Sequence, residues 1–231
     1  MNTIEQNIFT IKKLIANALK KYDREQDSVL LLAASKGQSV EKIMEATQAG
    51  QYLFGENYLQ EALTKMNALS QQQVSNEIEW HFIGPVQSNK TKKIAEHFAW
   101  VHSVDDNKIA KRLNDQRPQH LPPLNICIQV NVDDEATKSG VDIDHVLPLA
   151  EFCLSLPRLR LRGLMTIPKE QTELTLQRRT FHQLFLLKQS LSEKGFSLDT
   201  LSMGMSHDFE AAIAEGSTLI RIGTAIFGSR T

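Results

Sequence analysis

Apolar residues follow two different patterns along the chain. Segments with helical spacing alternate with short continuous apolar runs. Residues 3–22 carry isoleucine or leucine at every third or fourth position, which predicts an amphipathic helix. SVLLLAAS at 28–35 is a short continuous apolar run and predicts a buried strand. SVEKIMEATQAG at 39–50 returns to helical spacing, with Ser39 as its cap and Gly50 as its stop. The chain therefore opens with a helix and then a strand–helix unit.

The same alternation of strand and helix continues to residue 228. The predicted strands are 28–35, 52–57, 78–84, 100–104, 124–132, 159–167, 198–204 and 217–228. The predicted helices that separate them are 39–50, 58–69, 88–98, 105–116, 142–156, 174–191 and 206–216. Continuous apolar runs are typical of parallel strands that are buried on both faces.

Eight such strands predict a single domain, residues 1–231, folded as a (β/α)8 TIM barrel with an extra N-terminal helix. A doubly wound open sheet stays open as the alternative, because alternation of strands and helices does not prove that the sheet closes.

Composition and charge indicate an ordinary globular protein and argue against a nucleic-acid or membrane partner. Hydrophobic residues make up 41% of the chain and charged residues 23%, as in ordinary globular proteins. Lysine plus arginine number 26 against 27 acidic residues, so no net field recruits nucleic acid or an anionic membrane. The N-terminal segment lacks the apolar core of a secretion signal, and no window is long enough to span a bilayer. We expect a cytoplasmic protein with no nucleic-acid or membrane partner.

The two cysteines carry no sign of a metal site or a disulfide. Cys127 and Cys153 lie inside apolar segments and have no neighbours at metal-ligand spacing. Buried, reduced thiols are the expected state of both, and no metal is expected.

Chemistry in a barrel collects at the carboxyl ends of the strands, so residues at those ends are the candidates for function. Lys36 follows the first strand, Asn57 follows the second, and His81 lies near the end of the third. Met165 ends the sixth strand and Met203 the seventh. Each also has a structural interpretation: an ion pair for Lys36, a helix cap for Asn57, a hydrogen-bonded core residue for His81, which we favour, and packing for the two methionines.

The last two strand ends predict a phosphate site. Ser206 precedes a helix whose first amides are unpaired, and Gly204 allows the backbone to turn closely. Gly223 offers a second approachable amide, and Thr224 a hydroxyl. Asp208 would repel a phosphate, so we expect its side chain to point away and cap the helix.

A lysine facing a phosphate site suggests a phosphorylated aldehyde held as a Schiff base. Pyridoxal 5′-phosphate (PLP) has both groups, and a sugar-phosphate aldolase would use the same two features. Arg221 helps to discriminate, because it lies two residues before Gly223 and should face a ring nitrogen on the same side of the strand. As a permanent donor, arginine would leave a pyridine nitrogen unprotonated.

Seven ordered blocks of the chain resemble the pyridoxal phosphate homeostasis proteins, small PLP-binding proteins built on the barrel of alanine racemase. The blocks are LLAASKG, FGENYLQEA, EWHFIGPVQSNK, VNVDDEATKSG, GLMTIP, LSMGMSHDFEAAI and STLIRIGTAIFG. The resemblance implies that Lys36 is the Schiff-base lysine and that Arg221 faces the pyridine nitrogen. It implies that Ser206, Gly223 and Thr224 hold the phosphate. It also implies that the cofactor pocket is lined by Asn57, His81, Met165 and Met203.

The resemblance further implies a non-catalytic PLP carrier that takes part in PLP homeostasis and supply and influences amino-acid and keto-acid balance. The racemases add a β-rich domain with a catalytic tyrosine, whereas this chain ends after its eighth predicted strand and contains only Tyr22, Tyr52 and Tyr58. A weak racemase-like enzyme and a PLP-independent aldolase stay as alternatives. We expect a monomer that supplies PLP to apoenzymes, in which Lys138 is a candidate second acceptor for PLP leaving Lys36.

Overall fold

The computed structural model describes residues 3–72, 77–133 and 139–228, and within those ranges eight parallel strands alternate with helices. The strands are β1 (Leu30–Ala34), β2 (Leu53–Glu56), β3 (Glu79–Phe82), β4 (Trp100–Val104), β5 (Leu124–Gln129), β6 (Leu159–Met165), β7 (Thr200–Ser202) and β8 (Leu219–Ile222). The helices are α1 (Ile4–Lys21), α2 (Val40–Gln48), α3 (Leu59–Leu69), α4 (Thr91–His97), α5 (Asn107–Gln116), α6 (Ile143–Leu154), α7 (Leu174–Glu193), α8 (Phe209–Ala214) and α9 (Thr224–Phe227).

The sheet closes on itself, which confirms the predicted TIM barrel and excludes the open sheet. Each strand pairs in parallel with the next one along the chain, and β1 pairs with β8 as well as with β2. In the closing pair, Leu32 lies opposite Arg221 and Ala33 opposite Ile222. The two ends of the alternating sequence therefore meet at one seam.

The additional helix α1 begins at a capping box. The Thr3 hydroxyl accepts from the Gln6 amide, and the Gln6 side chain accepts from the Thr3 amide, which satisfies two amides that the helix leaves unpaired. The isoleucines of α1 form one buried face, and α1 packs against α2, α8 and α9. The helix thus covers the outside of the closing seam.

The hydrophobic core has two layers. The larger layer fills the space between the sheet and the surrounding helices. Two small clusters fill the inside of the barrel: Leu32, Ile83 and Leu219 in one, and Trp100, Cys127 and Met165 in the other. Successive side chains of a strand point to opposite faces of the sheet, so neighbouring residues pack in different layers.

The prediction of a strand over residues 217–228 is wrong beyond Ile222. The chain turns at Gly223 and forms the short helix α9, in which Ile226 and Phe227 are both buried. An extended strand would point these two neighbours to opposite faces, whereas a helical turn lets both pack inward. The side-chain amide of Asn7 donates to the Ile226 carbonyl at 2.8 Å and ties the turn to α1.

Cys127 and Cys153 are both buried, and they are not bonded to each other. Burial raises the pKa of the Cys127 thiol and that of the Cys153 thiol to about 12. None of the helices in the described ranges is long and apolar enough to cross a membrane.

We predict that Gly163→Ala will destabilise the barrel strongly. A Cβ atom on Gly163 would lie 1.7 Å from the carbonyl oxygen of Thr200, its partner across the β6–β7 pair. The free energy of unfolding, measured in urea, should fall by about 3 kcal/mol or more, because neither backbone can retreat without breaking the ladder.

The matched control is Gly195→Ala. Gly195 has φ +92° and open space around its Cβ position, so its replacement brings backbone strain of about 1–2 kcal/mol without a clash. A loss for Gly163→Ala no larger than the loss for Gly195→Ala would contradict the prediction.

Candidate functional site

A cavity opens at the carboxyl ends of the strands, next to the β1–β8 seam. Its volume is about 210 Å³, and its mouth is open to solvent. Six of the nine predicted site residues line it: Lys36, Asn57, Ser206, Arg221, Gly223 and Thr224. The closed barrel therefore brings together residues from the first and last thirds of the chain.

Sequence reasoning missed seven further residues of the lining. They are Ala34, Gln38, Ile83, Ile167, Met205, His207 and Gly228. Most of them lie within a few residues of a strand end, which is the signal that could have found them.

The seam is tight at the point where β1 and β8 enter the cavity. A Cβ atom on Gly223 would lie 3.0 Å from the carbonyl oxygen of Ala34, so a larger residue would push the two strand ends apart. Lys36, two residues beyond the end of β1, is half-buried and lines the same cavity as Gly223 and Thr224. Glycine at position 223 thus lets the α9 backbone approach the lysine-bearing loop.

The backbone just before Lys36 is held by a buried ion-pair cluster outside the barrel. The Lys65 ammonium donates to the Ser35 carbonyl at 2.7 Å and to Glu56 Oε1 at 2.7 Å, and it also pairs with Glu61. The Ser35 hydroxyl donates to the same Glu56 oxygen at 2.6 Å. Burial raises the pKa of Glu56, and the charge of Lys65 opposes that rise.

The residue just after Lys36 is held by the same cluster. The Gly37 amide donates to Glu61 Oε1 at 2.6 Å, and Gly37 has φ +71°, a left-handed conformation that glycine adopts without strain. Because Ser35 and Gly37 are both anchored to Lys65 or to its partner Glu61, the cluster fixes the backbone on both sides of Lys36.

Arg221 forms part of the cavity wall and is 4% exposed. Its Nη1 donates to Ser202 Oγ at 2.8 Å and its Nη2 to the Thr166 carbonyl at 2.8 Å. Burial lowers the pKa of Arg221 to about 10, and the nearby Asp208 carboxylate opposes that shift. The guanidinium therefore stays charged at neutral pH, with its orientation fixed by two acceptors.

The expectation that Asp208 caps helix α8 is wrong in detail. Asp208 occupies the N-cap position, but its side chain makes no hydrogen bond to the amides of α8. Its Oδ1 instead accepts from the Met205 amide, three residues upstream, which closes the loop that carries Ser206. Gly204 at φ +99° makes this turn possible, and burial raises the pKa of Asp208.

Asn57 does not cap a helix and presents an unsatisfied acceptor. The N-cap of α3 is Tyr58, one residue later, and it too makes no side-chain cap bond. The side-chain oxygen Oδ1 of Asn57 is buried and has no hydrogen-bond partner among the described residues. Because orphaned buried acceptors are rare and Asn57 lines the cavity, this oxygen is a candidate acceptor for a bound molecule.

Three predicted site residues are not brought into the cavity lining. His81 lies inside the barrel, where its ring nitrogens contact His102 and Glu79. Met165 packs against Trp100 within the barrel, and Met203 belongs to the core layer outside it. All three are buried in the core, and their predicted contact with the cofactor stays a prediction. Lys138, the candidate second acceptor, lies outside the described residues.

Residues 7–231 match the family model described as alanine racemase, N-terminal domain. The chain belongs to this family. The pyridoxal phosphate homeostasis protein of Vibrio cholerae is 52% identical over 230 residues, covering 100% of this chain and 98% of that protein. The resemblance stated from the seven sequence blocks is therefore confirmed.

Solved structures agree with the family and the fold. PipY from Synechococcus elongatus, in its structure with PLP bound, is 34% identical with a TM-score of 0.77, covering 93% of this chain and 100% of that chain. An unknown protein from Bifidobacterium adolescentis is also 34% identical, with a TM-score of 0.91, covering 97% of this chain and 94% of that chain. These two proteins thus share this barrel over nearly their whole length.

We predict that Lys65→Met will destabilise the protein in a pH-dependent way. At pH 8 the free energy of unfolding should fall by about 3–5 kcal/mol, because Glu56 would remain buried and charged without its partner. Without Lys65, the pKa of Glu56 in the folded protein should rise further above its unfolded value. The folded state then binds a proton more tightly than the unfolded state, so stability is recovered as pH falls.

Urea unfolding at pH 8 and pH 5 measures this effect. Lys93→Met is the control, since the Lys93 side chain is 58% exposed and its loss should change stability by less than about 0.5 kcal/mol at either pH. A loss for Lys65→Met that is the same at both pH values would count against a charged Glu56.

Proposed function

We propose that this protein binds PLP in the cavity at the β1–β8 seam, holds it as a Schiff base on Lys36, and acts in PLP homeostasis and supply as a carrier and not as an enzyme. The observation that carries the proposal is the convergence of one amine, one buried guanidinium and one glycine-lined helix start in a single cavity. In this proposal the protein is a cytoplasmic monomer. Its protein partners would be PLP-requiring apoenzymes.

The phosphate end of PLP fits the wall formed by strand ends β7 and β8. Gly223 and Thr224 begin helix α9, whose first amides have no partner within the helix, and the Thr224 hydroxyl adds a donor. Ser206 contributes a second hydroxyl from the neighbouring loop. We assign the phosphate to these three residues.

The pyridine ring of PLP would place its nitrogen next to the Arg221 guanidinium. An arginine carries five N–H donors, and two of its nitrogens are already held by Ser202 and Thr166, so the fork is fixed in place with further donors available. A guanidinium has no proton to give at neutral pH, so a pyridine nitrogen facing it would accept a hydrogen bond and stay unprotonated.

When bound, PLP supplies an aldehyde for a primary amine and a pyridine ring that withdraws electrons. In this proposal the Lys36 amine would attack the aldehyde carbon, and its two hydrogens would leave with the aldehyde oxygen as one water molecule when the C=N bond forms. The anchors on Ser35 and Gly37 hold the backbone of Lys36 toward the cavity during this step. Asn57, with its buried unsatisfied oxygen, would accept a hydrogen bond from the bound molecule.

The lining of the cavity supports a carrier more than a racemase. Racemisation needs an acid and a base on opposite faces of the cofactor. Over the described residues, the lining includes no tyrosine. The Tyr22 hydroxyl is hydrogen-bonded to Glu210 at 3.2 Å, and Tyr58 is 59% exposed. Arginine at the pyridine nitrogen would further weaken the ring as an electron sink.

We predict that the purified protein with added PLP shows a protonated-imine absorption band that is lost in Lys36→Ala. Borohydride reduction followed by peptide mapping should place the adduct on Lys36. Lys111→Ala is the control, because the Lys111 side chain is 60% exposed on α5, and it should keep the wild-type band.

The same experiment distinguishes the alternatives. An adduct scattered over surface lysines would contradict the proposed site. A wild-type protein without any PLP band, but with a borohydride-trapped sugar phosphate on Lys36, would support the aldolase instead.

We also predict that the PLP-loaded protein exchanges the α-proton of alanine with D2O no faster than free PLP does at the same concentration. The reason is that racemisation needs an acid and a base on opposite faces of the cofactor, and the lining over the described residues includes no tyrosine to complement Lys36. Proton NMR of alanine over several hours measures the exchange. A rate at least tenfold above free PLP that disappears in Lys36→Ala would favour the weak racemase-like enzyme.

A further inference from the structure

Five side chains form a continuous hydrogen-bonded chain through the inside of the barrel. Glu79 Oε1 lies 3.0 Å from His81 Nε2, and His81 Nδ1 lies 2.9 Å from His102 Nε2. His102 Nδ1 lies 2.8 Å from Ser202 Oγ, to which Arg221 Nη1 donates at 2.8 Å. The chain therefore links four different strands: β3, β4, β7 and β8.

The chain connects the amino-terminal end of the barrel with the cavity at the other end. Glu79 is the first residue of β3, and its side chain is 44% exposed. His81, His102 and Ser202 are fully or almost fully buried, and Arg221 lines the cavity. One end thus meets solvent and the other end meets the proposed ligand.

The two ends fix the direction of every hydrogen bond when both rings are neutral. Arginine is only a donor and a carboxylate only an acceptor. Because Arg221 donates to Ser202, the serine proton is free to go to His102 Nδ1. His102 then carries its proton on Nε2 and donates to His81 Nδ1. His81 in turn carries its proton on Nε2 and donates to Glu79, which gives both histidines the same tautomer.

Electrostatics keep the rings neutral and the ends charged. Burial lowers the pKa of His102 well below its usual value, and repulsion by His81 and Arg221 lowers it further. Burial also lowers the pKa of His81, which Glu79 only partly opposes. The hydrogen bond from His81 lowers the pKa of Glu79 and keeps it ionised, with Arg162 adding a smaller contribution.

Packing prevents the rings from turning to another arrangement. Trp100 stacks on His81 with ring centroids 5.3 Å apart and an interplanar angle of 7°. The Arg162 guanidinium lies over the other ring of this stack, 4.7 Å from the centroid of Trp100. A flip of His81 would therefore break both hydrogen bonds, and the ring would have to leave the stack while it turns.

We propose that Glu79, His81, His102 and Ser202 are positioning residues: they form a one-way hydrogen-bond chain that fixes Arg221 with its donors toward the ring nitrogen of the bound ligand. The chain is a property of the protein without ligand, whereas its effect on binding rests on the proposed PLP site. His81 thus serves the site without touching it.

The first test is the histidine tautomer in the ligand-free protein. Nitrogen-15 NMR of the imidazole rings should show both His81 and His102 as neutral Nε2–H tautomers between pH 6 and pH 8, with signals assigned by replacing each histidine in turn with asparagine. Glu79→Gln should give mixed tautomers at His81, because an amide can donate as well as accept. A wild-type Nδ1–H tautomer or a charged ring at either position would overturn the chain.

The second test is the affinity for PLP. Ser202→Ala should weaken PLP binding about five- to tenfold, in the range of losing one ordinary hydrogen bond because Ser202 acts on the ligand only through Arg221, and should shift the absorption of the bound cofactor. Ser217→Ala is the matched control: Ser217 is also buried and bonds only backbone carbonyls, so PLP affinity should not change.

A folded Ser202→Ala protein with wild-type affinity and spectrum would overturn the positioning role. If Ser202→Ala does not fold, Glu79→Gln carries the test because Glu79 is half-exposed, and a loss of affinity of about two- to threefold is expected. Unchanged affinity in that variant would overturn the role as well. Failure of the wild-type protein to bind PLP would refute the proposed function, while the NMR result on the ligand-free protein would still decide the chain.

Discussion

The pairing of β1 with β8 is the constraint on which the rest of the structure depends. These strands come from opposite ends of the sequence, and their register sets Leu32 beside Arg221. Only this closure brings the loop that carries Lys36 against the start of α9 at Gly223, where a side chain would force the two apart. The helix α1 covers the same seam from outside and ties it down through Asn7. The contacts that close the barrel therefore also form the cavity.

Two buried ionic networks stabilise the cavity from opposite sides of the sheet. Outside the barrel, Lys65 bridges Glu56, Glu61 and the backbone before Lys36. Inside it, Arg221 is held by a polar chain that ends at a carboxylate near solvent. Burying charges is costly unless each one has partners, and both networks meet this condition through several short hydrogen bonds. Such networks favour one arrangement of the strand ends, which is what a binding site requires.

The alternation of periods favoured the barrel but left its closure open. Reasoning from strand ends gave a cofactor role to five of the six predicted residues that line the cavity, and the resemblance added the role of Asn57. What failed had a tertiary cause. The predicted β8 ran too far because residues 224–227 are as apolar as a strand, and the helical turn that they form packs against α1, which no local pattern reveals. Asp208 was predicted to accept from an amide of α8, but it accepts from the Met205 amide. The turn at Gly204 brings that amide within reach. The partners of His81 and His102 lie on other strands, and no local pattern marks them.

His81 shows why a structural and a functional interpretation of one residue need not exclude each other. It is a hydrogen-bonded core histidine, as favoured from the sequence, yet its bonds lead to the guanidinium at the cavity wall. The hydrogen-bonded side chains end at Arg221, which can only donate, so a pyridine nitrogen next to it can only accept. In the proposed complex, the groups that bind the cofactor would also keep its ring a weak electron sink. Binding without strong activation is the chemistry that the proposed carrier needs, and in this proposal residues in the interior of the barrel contribute to it through the orientation of Arg221.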